Sequence, residues 1–222
     1  MTLKEAVALR HSVRSYQQKP LDEAVRAQLE EYVRQINDES GLHIQLVCDE
    51  PKAFSSFLAH YGKFSGVSNY LALVGEKSDD LEEKCGYYGE KIVLYAQTLG
   101  LNTCWVALTY KKIKSAYVVG KGEKLALVIA LGYGNTQGAV HKVKRYEEVS
   151  NIEQSSPDWF REGVKFALLA PTAINQQKFF FELKEGKVKL TCRTNVCRGV
   201  DLGIVKLHFE LGAGTENFAW AD

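Results

Sequence analysis

The chain has 222 residues, of which 45% are hydrophobic and 25% are charged, the balance of a globular protein with a full core. Its formal net charge of +1 argues against a nucleic-acid or acidic-membrane partner recruited by bulk electrostatics. Five cysteines, at positions 48, 85, 104, 192 and 197, form no CxxC pair. No apolar signal segment opens the chain and no run approaches the ~20 apolar residues of a membrane span, so we expect a cytoplasmic protein with reduced thiols and without a metal or membrane partner.

The first third of the chain is predicted to alternate helices with short strands. Thr2 and Glu5 fit a capping box at the start of a helix, with Leu3, Ala6 and Val7 on one face. The predicted elements are helices over 2–10 and from residue 22 to the turn at Gly41, a strand over 43–48, a helix over 50–60, a loop over 62–66 and a buried strand over 69–75.

The longest helical pattern covers residues 79–99, where apolar residues are spaced by three and four, and Gly100 ends it. Gly86 and Gly89 interrupt the pattern at a helix-propensity cost of about 1 kcal/mol each. Glycines inside a helix allow close packing against another helix or a cofactor. The next predicted elements are an extended apolar connection over 102–108 and a central strand over 125–133.

The last third is predicted to be a polar connection followed by a helix, a hairpin and a final helix. Ser156 is the expected N-cap of the first of these helices, Pro157 lies in its first turn, and Pro171 stops it. The remaining elements are strands over 179–184 and 188–192 about a turn at Glu185-Gly186, and a helix over 201–211 closed by Gly212.

One internal similarity suggests a duplication. Ile92-Val93 followed by Leu99-Gly100 recurs as Ile204-Val205 followed by Leu211-Gly212, and each copy precedes a tryptophan. A decayed duplication would leave such a pattern, with residues 1–150 as the fuller half and 151–222 as a shortened half. Chance is the alternative.

The segment Arg10–Arg14, here called the basic segment, joins two arginines, a histidine and a hydroxyl just after a helix. A phosphate monoester carries about two charges, and arginine forks with a hydroxyl satisfy its oxygens by charge-assisted hydrogen bonds. A basic surface turn is the alternative. The chain contains no GxGxxG or Walker motif, so a bound nucleotide would not be held in the Rossmann manner.

The segment Ala170–Gln177, here called the amide loop, combines a proline at a helix end, small residues and side-chain amides. Such a loop stops a helix and lets a flat ligand approach the backbone. It lies far from the basic segment in the sequence, and we expect the two segments to form one site.

These two segments and three others resemble the motifs of the FMN-dependent nitroreductase family. The resemblance consists of R-x-S-x-R at Arg10, Ser12 and Arg14 with a family-typical His11, L-G-L-G-T-C-W at Leu99–Trp105 with Asn102 in place of a glycine, L-G-Y at Leu131–Tyr133, a basic element at Lys144–Arg145, and A-P-S-x-x-N-x-Q at Ala170–Gln177. Thr172 in place of serine and Lys178-Phe179 in place of Pro-Trp depart from the family and bear on substrate range.

The resemblance implies an α+β nitroreductase-like fold with a central, mostly antiparallel sheet flanked by helices. Ordinary members are homodimers with flavin sites at the interface, where one subunit binds the phosphate and the other supplies the A-P-S-x-x-N loop. In those members the loop motif follows R-x-S-x-R closely, whereas here it lies beyond residue 150. We therefore expect two pseudo-symmetric halves in one chain, and a monomer that imitates the family dimer and carries one FMN site.

The resemblance also implies the roles of the site residues. Phosphate and ribityl ligands would be Arg10, His11, Ser12 and Arg14, with Lys144 or Arg145 closing over the phosphate; Pro171, Thr172, Ala173 and Asn175 would lie against the ring; and backbone groups of Ala107 and Leu108 would approach N5. NAD(P)H would be the co-substrate, and a nitroaromatic, a quinone or a similar small molecule the acceptor. Two alternatives remain, a flavin-binding or storage protein without turnover and an interaction module that has lost its flavin.

Overall fold

The computed structural model describes residues 1–192 and 198–221 and shows a mixed α+β architecture. Cys197 lies outside the described residues, whereas Cys48, Cys104 and Cys192 are reduced thiols. The elements are α1 (Leu3–Leu9), α2 (Glu23–Ser40), β1 (Gln45–Val47), a 3-10 turn (Pro51–Phe54), α3 (Phe57–Tyr61), β2 (Asn69–Glu76), α4 (Leu81–Thr98), β3 (Asn102–Val106), β4 (Glu123–Gly132), α5 (Tyr146–Val149), α6 (Asp158–Ala167), a 3-10 turn (Ala173–Asn175), β5 (Phe179–Lys184), β6 (Lys187–Cys192), α7 (Arg198–Ala213), a 3-10 turn (Thr215–Asn217) and β7 (Ala219–Trp220).

The chain forms two compact units. Residues 9–81 and 92–140 form the sheet unit, and residues 1–8, 82–91 and the described part of 141–222 form the hairpin unit. The proposed halves, residues 1–150 and 151–222 of one compact unit, stay a prediction, as does their pseudo-symmetry.

A four-stranded antiparallel sheet with the order β1-β2-β4-β3 is the core of the sheet unit. β2 and β4 are the inner strands, which confirms the predicted central strand and the mostly antiparallel sheet. β2 is buried along seven of its eight residues, so it reads as a continuous apolar run rather than an alternating one. One sheet face packs Tyr70, Ala72 and Val74 against Phe54 and Phe64.

In the hairpin unit, β5 and β6 form an antiparallel hairpin to which β7 adds in parallel. The predicted turn is confirmed, since Glu185 and Gly186 both have positive φ (52° and 75°), as a tight hairpin turn requires. Helix α7 has buried residues on several of its faces, including Val205 and Phe209. A helix that is apolar nearly all round is a core element, and α7 is that element here.

A glycine contact within the hairpin unit confirms the predicted use of Gly86. A Cβ added at Gly86 would overlap the carbonyl oxygen of Val200, and one at Gly203 would overlap the carbonyl oxygen of Glu83. Glycine therefore lets α7 pack directly on the backbone of α4. The contact is with a helix rather than a cofactor.

Several predicted details are confirmed. The capping box of α1 forms, because Thr2 N donates to Glu5 Oε2 (2.8 Å) and Glu5 N donates to Thr2 Oγ1 (3.2 Å). α2 follows Asp22 and ends at Gly41, whose φ of 71° is left-handed. α4 ends shortly before Gly100, whose φ is 79°.

Other details were wrong in the prediction. The segment 50–60 is a 3-10 turn followed by a short helix, the connection 102–108 contains strand β3, and the connection 134–156 contains helix α5. Pro157 rather than Ser156 is the N-cap of α6, because Ser156 Oγ accepts from Glu153 N (2.9 Å) in the preceding turn. α7 continues past Gly212 to Ala213, and Gly214 follows it with a φ of 77°.

Within residues 1–192 and 198–221, no helix combines the length and apolarity that crossing a bilayer requires. The same residues contain no group of three or more metal-ligating side chains.

Candidate functional site

The basic segment belongs to the sheet unit, where it runs as an extended chain beside β3. Ser12 pairs with Thr103 in a parallel bridge, and Val13 N donates to the carbonyl oxygen of Thr103 (3.0 Å). Further along, Tyr16 N donates to the carbonyl oxygen of Ser65 (2.9 Å). Backbone hydrogen bonds thus fix the course of the segment beside β3.

The thiol of Cys104 in β3 interacts electrostatically with Arg10 and Arg14 and by a hydrogen bond with Ser12. Burial raises the pKa of the Cys104 thiol, while the positive charges of Arg14 and Arg10 and a hydrogen bond with Ser12 act in the opposite direction. Arg10 is buried, at 3% exposure, whereas Arg14 is exposed and its guanidinium lies over the Phe64 ring, 5.9 Å from the centroid. The structure therefore brings together three of the four predicted phosphate ligands.

His11 packs against the loop that follows β4. A Cβ added at Gly138 would lie 2.6 Å from His11 Cβ, and the φ of Gly138 is 78°. The loop continues along the basic segment, since Asn135 N donates to the carbonyl oxygen of Ser15 (2.9 Å). His11 is half-buried beneath this loop.

Ala107 and Leu108 follow β3 in the same unit. The Leu108 side chain is 72% exposed, and Ala107 is half-buried. The next residue, Thr109, packs against Gly62, where an added Cβ would lie 2.6 Å from Thr109 Oγ1. The exposed turn at 107–108 is thus anchored immediately after its tip.

The amide loop belongs to the hairpin unit and is closed by hydrogen bonds at both ends. Gln177 N donates to Thr172 Oγ1 (3.0 Å), and Ala173 N donates to Asp201 Oδ1 of α7 (2.9 Å). Thr172 therefore supplies the hydroxyl that the serine of the family motif would supply. Pro171 is half-buried and lies four residues beyond Ala167, the last residue of α6.

The backbone of the amide loop is strained. Ile174, Asn175 and Gln177 have φ of 44°, 56° and 48°. The left-handed region costs an L-residue roughly 1–2 kcal/mol, and a β-branched residue there is an outlier. Ile174 is also 89% exposed, so its own packing does not enforce the conformation. The constraint on the loop comes from its neighbours.

Residues 142–144, here called the strap, supply that constraint. The carbonyl oxygen of Lys142 accepts from Asn175 Nδ2 (2.9 Å) and Gln177 Nε2 (2.8 Å). Lys144 N donates to Gln177 Oε1 (2.9 Å), and Lys144 Nζ donates to the carbonyl oxygen of Gln177 (2.9 Å). Lys144 thus contacts the amide loop itself, while the exposed Arg145 pairs with Glu148 (3.4 Å).

The candidate list drawn from the sequence omits three residues of this loop. Gln177 is 2% exposed and organises the loop through both the oxygen and the nitrogen of its side-chain amide. Gln176 Oε1 is buried and accepts no hydrogen bond from any residue that the structure describes. Ile174 is the exposed, strained residue. The signal for Gln177 was present in the motif, whose last position is a glutamine.

Each unit contains a cavity. The cavity in the sheet unit has a volume of about 590 Å³, and Lys19, Asp49, Phe54 and Phe64 are among its lining residues, but none of the predicted site residues is. The cavity in the hairpin unit has a volume of about 430 Å³, and both Lys144 and Arg145 line it, with Leu168 and Leu169 on its apolar side.

The sheet unit thus has the basic segment beside its edge strand β3, and the hairpin unit carries the amide loop. Residues 2–213 match the model of a protein family described as "Putative TM nitroreductase". The match covers nearly the whole chain, and the protein therefore belongs to this family.

Solved structures resemble the chain at the level of the fold. A "putative nitroreductase" from Thermotoga maritima is 24% identical with a TM-score of 0.68, and the alignment covers 96% of this chain and 83% of that one. A "putative nitroreductase in complex with FMN" from Desulfovibrio desulfuricans is 14% identical with a TM-score of 0.54, over 71% of this chain and 99% of that one. A "Putative NADH dehydrogenase/NAD(P)H nitroreductase" from Bacteroides thetaiotaomicron is 18% identical with a TM-score of 0.52, over 67% and 96%. No curated protein sequence matches the chain.

Proposed function

We propose that the protein is an FMN-dependent oxidoreductase that transfers electrons from NAD(P)H to a nitroaromatic, a quinone or a similar small acceptor. The observation that carries this proposal is the family membership of residues 2–213. Two structural neighbours support it, since one was solved in complex with FMN and another is named as an NAD(P)H nitroreductase.

The donor set of the basic segment fits the phosphate of FMN. The positive charges of Arg10 and Arg14 both act on Cys104, and the Ser12 hydroxyl forms a hydrogen bond with the same thiol. Charge-assisted hydrogen bonds from such groups are about twice as strong as neutral ones. We assign Arg10, His11, Ser12 and Arg14 to the phosphate and ribityl chain.

The amide loop fits the flavin ring. We assign Pro171, Thr172, Ala173 and Asn175 to the ring face, and backbone groups of Ala107 and Leu108 to the side of N5. The buried Gln176 Oε1 lacks a described donor, and a ring N–H would satisfy it. Lys144 and Arg145 are the remaining candidates from the resemblance, and we assign Arg145 to the phosphate side.

Bound FMN would supply the hydride and electron transfer between NAD(P)H and the acceptor. The chain's own residues bind and orient the cofactor, and positive charge near the ring would favour its anionic reduced form. We assign no acid–base side chain, because this chemistry requires none.

We further propose a monomer with one flavin site per chain. The alignments to the smaller neighbours support this, because almost the whole length of each corresponds to only about 70% of this chain (71% and 67%). The remaining part of the chain would then supply what the second subunit supplies in a family dimer.

Titration of the purified apoprotein with FMN tests the proposal. We expect flavin fluorescence to change with a micromolar or lower Kd and an endpoint of one FMN per chain, at a monomer mass by light scattering. The loaded protein should oxidise NADH or NADPH when a quinone or nitroaromatic is added. Absence of FMN binding would refute the assignment, whereas binding without turnover would indicate a flavin-storage protein.

A further inference from the structure

The strap and the amide loop assign a role to Lys144 that the family resemblance does not. We propose that Lys144 is a positioning residue, which holds the amide loop in the conformation that receives the flavin ring, and that it is not a ligand of the phosphate. This inference rests on the proposed function, because it concerns how the same site is built.

Lys144 contacts one residue at two points. Its backbone N–H donates to Gln177 Oε1 and its ammonium donates to the Gln177 carbonyl oxygen, both at 2.9 Å. Two bonds from one lysine to the backbone and side chain of one glutamine fix the position of that glutamine along the strap. Among the described residues, no carboxylate forms an ion pair with Lys144, so the ammonium is directed at the loop.

The loop needs such a clamp, because three of its residues lie in the left-handed region. Strained backbone persists only where the surroundings over-determine it. Gln177 is itself one of the strained residues, at a φ of 48°, and it is the residue that Lys144 holds. Loss of the ammonium removes the bond to the Gln177 carbonyl oxygen and allows the loop to relax.

Arg145 provides the matched contrast. It is the next residue in the chain and carries the same charge, but its side chain is 81% exposed and its only described ion pair is with Glu148 in α5. It has no bond to the amide loop. A phosphate that requires a cation from this segment would therefore find it at Arg145 rather than at Lys144.

Binding of FMN and riboflavin to Lys144→Met and Arg145→Met distinguishes the roles, because riboflavin carries the ring and ribityl chain but no phosphate. We expect Lys144→Met to weaken both ligands by a similar factor of about 10, since a charged hydrogen bond is lost. The ratio of the two dissociation constants should stay at the wild-type value. Gln177→Leu should reproduce this pattern, and Arg145→Met should leave riboflavin binding unchanged.

Two results would overturn the inference. A Lys144→Met protein that loses affinity for FMN alone would identify Lys144 as a phosphate ligand. A Lys144→Met protein with a lowered Tm but wild-type affinity for both ligands would show that Lys144 contributes to stability alone. If the wild-type protein binds neither ligand, the proposed function fails, and hydrogen exchange then tests the contact between Lys144 and Gln177 by itself. The backbone amides of Lys144 and Gln177 should be protected from exchange in the wild-type protein and unprotected in Lys144→Met. Equal protection in both proteins would refute the inference.

Discussion

The basic segment and the amide loop are held in place by opposite means. Backbone hydrogen bonds to β3 and to the loop at Ser65 fix the basic segment. The amide loop has strained dihedral angles and depends on side chains, chiefly Gln177 and Lys144. Substitution of the exposed Arg14 in the basic segment should therefore change binding with little effect on stability, whereas a substitution in the amide loop should change stability and binding together.

The largest effect is expected from Gln177→Leu, which preserves volume and removes three hydrogen bonds of a buried side chain. We expect a loss of about 2–3 kcal/mol in the free energy of unfolding, because partners left unsatisfied cost about 1–3 kcal/mol each when buried. Urea denaturation measures it. Ser12→Ala is the matched change in the basic segment and should cost under about 1 kcal/mol. Equal losses would break the comparison.

Arg14→Ala should have the next largest effect and act on binding. The side chain is exposed, so its removal should change the unfolding free energy by less than about 0.5 kcal/mol. The Kd for FMN should rise about 10- to 100-fold, since a charged hydrogen bond contributes about 1.5–3 kcal/mol. Fluorescence titration measures the affinity for FMN and for riboflavin, and the affinity for riboflavin should stay at the wild-type value. A similar loss for riboflavin would contradict a phosphate role.

Ile174→Asn should stabilise the fold by about 1 kcal/mol, because asparagine tolerates the left-handed conformation that isoleucine resists. For a chain of this length the expected rise in Tm is about 2–4 °C by calorimetry. Val140→Asn is the control, since Val140 is also exposed (81%) but is not among the residues with positive φ. An unchanged or lower Tm for Ile174→Asn would show that the loop stores no strain.

The smallest effect concerns pH. Burial raises the pKa of Cys104 above its ordinary value of 9.0, so the folded state retains a proton that the unfolded state releases. The stabilisation is complete below the unfolded pKa and is lost as pH rises through the folded pKa. Cys104→Ala should therefore flatten the decline in the free energy of unfolding as pH rises above 9.0, measured by urea denaturation of the two proteins over that range. A parallel decline in both proteins would contradict the buried thiol.

Much of the fold could be predicted from the sequence, because periodicity and glycine are local signals. The spacing of apolar residues located α2 and α4, and Glu185-Gly186 located the hairpin turn. Helix α5 has four residues, too few for a periodic pattern to show. Strand β3 looked like a connection because an apolar run that short resembles several elements.

The candidate site was predictable in its residue types but not in its internal contacts. The arginines and the serine of the basic segment carry their chemistry in their side chains. The strap, by contrast, lies in a polar stretch without periodicity, and its contacts span 33 residues between Lys144 and Gln177. Nor does any local rule place isoleucine in a left-handed turn, since propensity favours glycine or asparagine there.

Position 174 is therefore suited to a library experiment. Sorting all twenty residues there for thermal resistance should enrich glycine and asparagine, since the left-handed backbone favours them and solvent surrounds the side chain. Sorting the same library for retention of bound flavin selects instead for residues at position 174 that favour ligand binding. Any residue that the second selection enriches over asparagine and glycine identifies a contact that the bound molecule makes, and the difference between the two enriched pools separates what the ligand requires from what the fold requires.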